Sequence, residues 1–174
     1  MMTDETNREQ QLAYELIANT NSSFFLTGRA GTGKTTFLQN VQKMVGKNFI
    51  TLAPTGVAAI LAGGDTIHSF FGLPMEACFP GTCGKMGQTK ILSLIHADTI
   101  IIDEVSMVRS DVMDAIDYTM RKTLRNNMPF GGKQMIFVGD MFQLPPVVKQ
   151  GPEKDLLTDI YRTNDFYFYK SEAI

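Results

Sequence analysis

Basic residues are not in excess in this 174-residue chain: 16 lysines and arginines stand against 18 aspartates and glutamates, a formal net charge of −2. That balance argues against a broad cationic face for non-specific nucleic-acid binding. It leaves room for a single-strand groove that works by stacking and a few local contacts. Cysteine is scarce. Cys78 and Cys83 are too few for a disulfide framework, and neither has the His or Cys neighbours that a metal site needs. Two free thiols in a reducing cytoplasm is the expectation. No apolar run approaches the roughly 18 residues of a membrane span, so no membrane partner is expected. The polar, acidic start MMTDETNREQQ lacks the basic and apolar regions of a secretory leader. Internal repeats and low-complexity tracts are also absent. What is present is an ordinary globular composition, 44% hydrophobic, at a length that suits one domain.

Apolar spacing alternates between two periods along the chain. Glu9–Ala18 carries Leu12, Ala13, Leu16 and Ile17 at helical intervals, and the short apolar run Ser23–Thr27 then enters a glycine-rich stretch. Helices are predicted from Lys34 to Val45, Thr55 to Ala62, Ile91 to His96 and Ser110 to Leu124, the last with Ser110 as its N-cap. Strands are predicted at Phe49–Ala53, Thr99–Asp103 and Gln134–Gly139. Near-continuous apolar strands between helices imply a parallel sheet covered on both faces, an α/β fold. Gly72–Gln88, rich in Gly, Pro, Cys and Met, reads as an irregular excursion, and Phe166–Tyr169 fits a strand or a helix equally.

Three strand ends carry chemistry. Gly28-Arg29-Ala30-Gly31-Thr32-Gly33-Lys34-Thr35 fits G-x-x-x-x-G-K-[ST] between a strand and a helix, the setting a phosphate cradle needs. Glycines let successive backbone N–H groups turn toward phosphate oxygens. Lys34 adds a point charge for the β- and γ-phosphates, and the Thr35 hydroxyl suits Mg²⁺. The whole run Gly28 to Thr36 is the candidate nucleotide cradle, for ATP with Mg²⁺. Asp103 and Glu104 end a hydrophobic strand; Asp103 suits the metal shell, and Glu104 suits orienting and deprotonating water. In Gly139-Asp140-Met141-Phe142-Gln143-Leu144-Pro145-Pro146-Val147, Gln143 is a candidate γ-phosphate sensor and Asp140 a member of the polar network beneath it.

GRAGTGKT, APTGVAAILAGGDTIHSF, IIIDEVSM and GDMFQLPPV occur in that order, and together they resemble the Pif/RecD-like group of superfamily 1 DNA helicases over about residues 7–148. The resemblance implies a RecA-like P-loop ATPase domain that couples ATP hydrolysis to movement on single-stranded DNA, with 5′-to-3′ polarity. It gives Lys34, Glu104 and Gln143 catalytic roles, and Thr35 and Asp103 the metal. Asn7-Arg8-Glu9-Gln10 resembles the family's glutamine motif, whose Gln reads adenine; the role falls on Gln10, with Gln11 adjacent. Thr55, Gly56, His68, Ser69 and Phe70 align with single-strand contacts, although Phe70 and His68 also suit a core and a capping position. The excursion at 72–90 sits where relatives place a duplex-splitting wedge.

Full-length relatives, the resemblance further implies, continue into a second RecA-like domain that supplies arginines to the γ-phosphate. No string after Val148 resembles those motifs, and Arg109, Arg125 and Arg162 have no motif that recommends them. The chain therefore reads as residues 1–174 of one motor domain without its second half, expected to hydrolyse ATP slowly and not to unwind. Two other classes remain open: a nucleotide-dependent binding module, and a small P-loop phosphotransferase. Glu104 and Gln143 count against the first, because a pure binder needs neither. Glu104 and the lack of an arginine-rich lid count against the second.

Overall fold

A computed structural model describes residues 8–29, 31–79 and 85–174. Asn7, Ala30 and Cys83, which entered the sequence reading, lie outside the described residues. The elements run α1 (Arg8–Asn19), β1 (Phe24–Thr27), α2 (Lys34–Met44), β2 (Phe49–Ala53), α3 (Gly56–Ala62), β3 (Asp65–Thr66), α4 (Ile67–Phe71), α5 (Gln88–His96), β4 (Thr99–Ile102), α6 (Ser110–Leu124), β5 (Gln134–Gly139) and α7 (Pro152–Tyr161). All strand pairs are parallel, in the order β1-β5-β4-β2-β3.

Side chains alternate across a strand, so each central strand feeds two cores. Ile101, Ile136 and Val138 pack against Ala13, Ile17, Phe37, Leu38 and Val41 of α1 and α2. Ile100, Ile102, Met135 and Phe137 pack against α4, α5 and α6 on the other face. Every residue of β4 and β5 is buried, as covering on both faces requires. The expected α/β sandwich is therefore the observed one.

Two short elements escaped the periodicity. β3 pairs Asp65 and Thr66 with Leu52 and Ala53, and two residues are too few to show an alternation. Its approach depends on Gly64, where a Cβ would lie 2.0 Å from the Thr51 carbonyl oxygen. α4 follows at once, capped by the Thr66 side chain.

Ser110 is not the cap of α6. Arg109 occupies that position in extended backbone, while Ser110 is fully buried and its N–H donates to Phe166 O at 2.9 Å. The segment Phe166–Tyr169 is neither a strand nor an α-helix. Tyr167 forms one antiparallel bridge to Arg109, and a single 3₁₀ turn covers Phe168–Lys170. Phe168 stacks on Phe137 with ring centroids 5.6 Å apart, which seats the C-terminal segment on the sheet. α7 had no sequence expectation. It starts at Pro152 with Glu153 and Asp155 in its first turn, the residues that a helix N-terminus favours.

Tyr161 of α7 donates to Asp114 Oδ2 at 2.6 Å, and the Ala173 N–H donates to Oδ1 at 3.0 Å. Burial, chiefly, raises the Asp114 pKa above its ordinary 3.8, and the two hydrogen bonds only partly offset it. A carboxyl raised in the folded state favours folding while protonated, below 3.8, and loses that contribution as pH climbs through its folded value. Asp114→Asn is expected to flatten this part of the stability profile, read as the change in thermal midpoint as pH rises from below 3.8 toward neutrality.

Candidate active site

A parallel sheet brings the strand C-termini to one edge, where ligands of open α/β folds bind. Here that edge carries Gly28 after β1, Pro54–Gly56 after β2, Asp103–Glu104 after β4 and Asp140 after β5. The strand order places β5 between β1 and β4, so the glycine loop and the acidic pair face each other across its end.

Gly31 and Gly33 adopt φ of 76° and 80°, a left-handed conformation that suits glycine, and they turn the chain directly into α2. Gly33 is the N-cap and supplies no side chain, which leaves the first-turn N–H groups of this 11-residue helix to an outside acceptor. Lys34 Nζ donates to Gly28 O at 2.6 Å and to Arg29 O at 3.1 Å, folding the ammonium over the loop. Thr32 Oγ1 also donates to Arg29 O, at 2.8 Å. Thr36 is exposed on the outer side of the first turn.

Thr35 Oγ1 donates to Asp103 Oδ2 at 3.0 Å, joining residues 68 apart in sequence. Asp103 is buried, and its second oxygen accepts the Glu104 N–H at 2.9 Å. One carboxylate and one hydroxyl at this spacing form the small donor set that suits Mg²⁺, which completes its shell with water and phosphate oxygens. Glu104 has φ of 51°, a strained value for a side-chain-bearing residue. Its carboxyl pKa is raised by burial and then by Asp103 and Asp140, against the opposing pull of Lys34.

Asp140 is buried and organises the loop beyond β5. Its Oδ1 accepts the Phe142 N–H at 3.0 Å, and its Oδ2 accepts Gln143 Nε2 at 3.1 Å. Gln143 is thereby exposed yet oriented. On the other side of the glycine loop, Gln10 lines a cavity of about 220 Å³ with Gly28, Thr32, Lys34 and Phe37. Gln11 instead donates to Glu15 on the exposed face of α1. Between the two glutamines, the geometry favours Gln10.

The second group of sequence candidates divides. Thr55 and Gly56 are exposed at the start of α3, with the Thr55 hydroxyl accepting Ala58 N–H at 3.2 Å. Ser69 is exposed, and its carbonyl and hydroxyl oxygens accept Lys90 Nζ at 2.7 and 3.0 Å. His68 is half-buried beside Thr55. Phe70 is a correction: it is 4% exposed, edge-on to Phe71 at 5.1 Å, and belongs to the core. Burial leaves no ring face for a base to stack on.

Sequence reasoning missed Lys90, which spans Ser69, Asp65 at 3.7 Å and the Phe70 ring. It stands one residue before the predicted start of its helix, in no motif. Arg109 was noted without a role. Its Nε and Nη2 donate to Asp111 at 2.9 and 2.6 Å, and its Nη1 donates to Glu153 at 3.1 Å. So engaged, it is not a mobile cation for the phosphates. Arg125 and Arg162 terminate α6 and α7 at positive φ. Cys78 is buried, and its N–H donates to Asp111 Oδ2 at 2.8 Å. No described helix is long and apolar enough to cross a membrane.

A sequence model of PIF1-like helicases matches residues 5–165. This chain belongs to the PIF1-like helicase family. It is 37% identical over 154 residues to the ATP-dependent DNA helicase PIF1 of Saccharomyces cerevisiae (strain YJM789), which covers 82% of this chain and 18% of that protein. It is also 37% identical over 151 residues to the ATP-dependent DNA helicase Pif1 of Bdellovibrio bacteriovorus, across 84% of this chain and 34% of the relative. A crystal structure of Bacteroides Pif1 helicase in complex with ADP-AlF3 and ssDNA superposes with a TM-score of 0.89 at 42% identity. That match covers 99% of this PIF1-like chain and 39% of the Bacteroides chain. This chain shares the RecA-like P-loop fold of the Bacteroides structure. The chain spans well under half the length of each of these relatives.

Proposed function

We propose that this chain is the ATP-hydrolysing motor domain of a DNA helicase, coupling Mg-ATP turnover to movement along single-stranded DNA. The observation that carries the reading is the 3.0 Å bond between Thr35 and Asp103, beside Glu104 and the clamped Gln143. A site that only holds a nucleotide needs the glycine loop and Lys34. One that cleaves it also needs a metal-holding pair, a carboxylate for water and a group that senses the outcome.

In this reading residues Gly28 to Thr36 wrap the phosphates, with Lys34 moving from the loop carbonyls to the β- and γ-oxygens. Thr35 and Asp103 would hold Mg²⁺, which would supply positive charge beside the phosphates. Glu104 takes the proton from the attacking water. Asp140 positions Gln143 toward the γ-phosphate, and Gln10 reads adenine. Thr55, Gly56, His68 and Ser69 contact the DNA strand. The excursion after Gly72 belongs to the same DNA-facing side.

Arg109 is engaged by Asp111 and Glu153, and we assign the transition-state charge to an arginine from a second RecA-like domain. In other P-loop enzymes such an arginine is worth on the order of 10³–10⁵ in rate. The 174-residue chain alone is therefore expected to bind ATP and turn it over slowly. Fluorescent ATP-analogue titration tests the site. Lys34→Ala is expected to weaken binding by about tenfold to a hundredfold, the loss of one or two charge-assisted hydrogen bonds. Equal affinity for both proteins would remove the loop from nucleotide binding. DNA-stimulated turnover, measured after joining the chain to a second RecA-like domain, tests the motor.

A further inference from the structure

Directly after the acidic pair lies a buried hydroxyl that the site's chemistry has not used. Ser106 is 0% exposed, and among the described residues its Oγ has no hydrogen-bond partner. Val105 before it and Val108 after it belong to the apolar core, so packing alone does not call for an oxygen there. Burial strips such a group of water, and folded chains seldom leave it without a partner.

Local geometry fixes where this hydroxyl stands. Glu104, at φ of 51°, turns the chain out of β4 into one 3₁₀ turn, Val105–Met107. The Met107 N–H closes that turn by donating to Glu104 O at 3.0 Å. The turn rests against the last residue of β5. A Cβ at Gly139 would lie 3.2 Å from Ser106 N and 3.3 Å from Val105 N, so only a bare backbone lets the two segments meet. The next residue, Asp140, accepts the Phe142 N–H and Gln143 Nε2. Ser106 therefore sits at the junction between the turn that carries Glu104 and the root of the loop that carries Gln143.

We propose that Ser106 is a positioning residue for hydrolysis, its hydroxyl bonding the backbone at Gly139–Asp140 in the transition state and so tying Glu104 and Gln143 into one arrangement. The proposal rests on the ATP-hydrolysis reading above and adds to it a coupling between two parts of the site. Sealed from solvent, the hydroxyl touches neither the nucleotide nor the attacking water. It offers one donor and two acceptor positions, enough for a backbone N–H or C=O that a small rotation of the turn brings within reach. In the structure that bond is unmade. An interaction gained only in the transition state speeds the chemical step, whereas one present throughout does not.

Ser106→Ala tests this through three readouts: melting temperature without nucleotide, affinity for Mg-ATP, and single-turnover hydrolysis of γ-labelled Mg-ATP followed for hours. The melting temperature is expected to be equal or higher, because alanine removes a buried oxygen that has no partner. Affinity should stay within about twofold, and hydrolysis should slow about tenfold, the worth of one hydrogen bond. Thr119→Ala is the control. Thr119 lies along α6, is 8% exposed, and likewise has a hydroxyl without a partner among the described residues. Its variant should hydrolyse at the wild-type rate.

Hydrolysis by Ser106→Ala at the wild-type rate would overturn the proposal and leave the ATP-hydrolysis reading standing. A lower melting temperature without nucleotide would also overturn it, since the hydroxyl would then serve the fold. Equal slowing in Thr119→Ala would do the same, by tracing the effect to buried hydroxyls in general. A wild-type chain that bound Mg-ATP and never cleaved it would overturn both readings.

Discussion

Glu104→Gln is expected to lower single-turnover ATP hydrolysis by about 10²–10⁴-fold, the usual contribution of a positioned general base. Nucleotide affinity should stay within about threefold, because Gln keeps the shape and loses only the basicity. Burial and the neighbouring Asp103 and Asp140 hold the Glu104 carboxyl above its ordinary pKa, while Lys34 limits the rise. The residue also sits at φ of 51°, so its direction is fixed by backbone as well as by charge. Rapid-quench measurement at saturating Mg-ATP would separate chemistry from binding. Normal hydrolysis by the glutamine variant would take Glu104 out of the mechanism.

Asp111→Ala is expected to cost about 3–5 kcal/mol, the typical penalty for stranding the partner of a buried ion pair. Asp111 is fully buried and accepts from Arg109 twice and from the Cys78 N–H. Its removal leaves a guanidinium and a backbone N–H short of acceptors in the same place. At a few degrees per kcal/mol for a chain of this size, the melting temperature should fall by roughly 6–20 °C. Glu153→Gln, which weakens only the partly solvated third contact, is expected to cost no more than about 1 kcal/mol. Equal losses for the two variants in thermal melts would show that the pair is not the centre of that network.

Most elements that depend on runs of residues could be read from the sequence, α7 (Pro152–Tyr161) being the exception. β4 and β5 announced themselves because every side chain in them is apolar or buried, and α6 because Val112, Met113, Ile116 and Met120 share one face. The phosphate loop and acidic pair were legible as strings, and the fold explains why: the parallel order β1-β5-β4 brings their strand ends to one edge. Short or tertiary features were not legible. β3 has two residues and depends on Gly64 passing close to Thr51. Phe70 and His68 stand two apart on one short helix, yet one is core and the other lines a cleft, a division only packing decides. Ser110 has the right chemistry for a cap, but the C-terminal segment claims its N–H. Arg109 belongs to no motif, and its role arises from three segments meeting.

The placement of β5 between β1 and β4 has a mechanical side. Neighbouring strands lie about 4.8 Å apart, so the glycine loop and Asp103 are held two strand widths apart by a fully buried spacer. That gauge cannot stretch without breaking ladders on both of its edges. If nucleotide binding displaces anything here, as the proposed function requires, the loop leaving β5 is the free end of the same strand. Asp140 anchors the near end of that lever, and the exposed Val147 lies at its far end. In the proposed function the sheet would be the fixed frame, with any travel left to the seven residues beyond it, from Met141 to Val147.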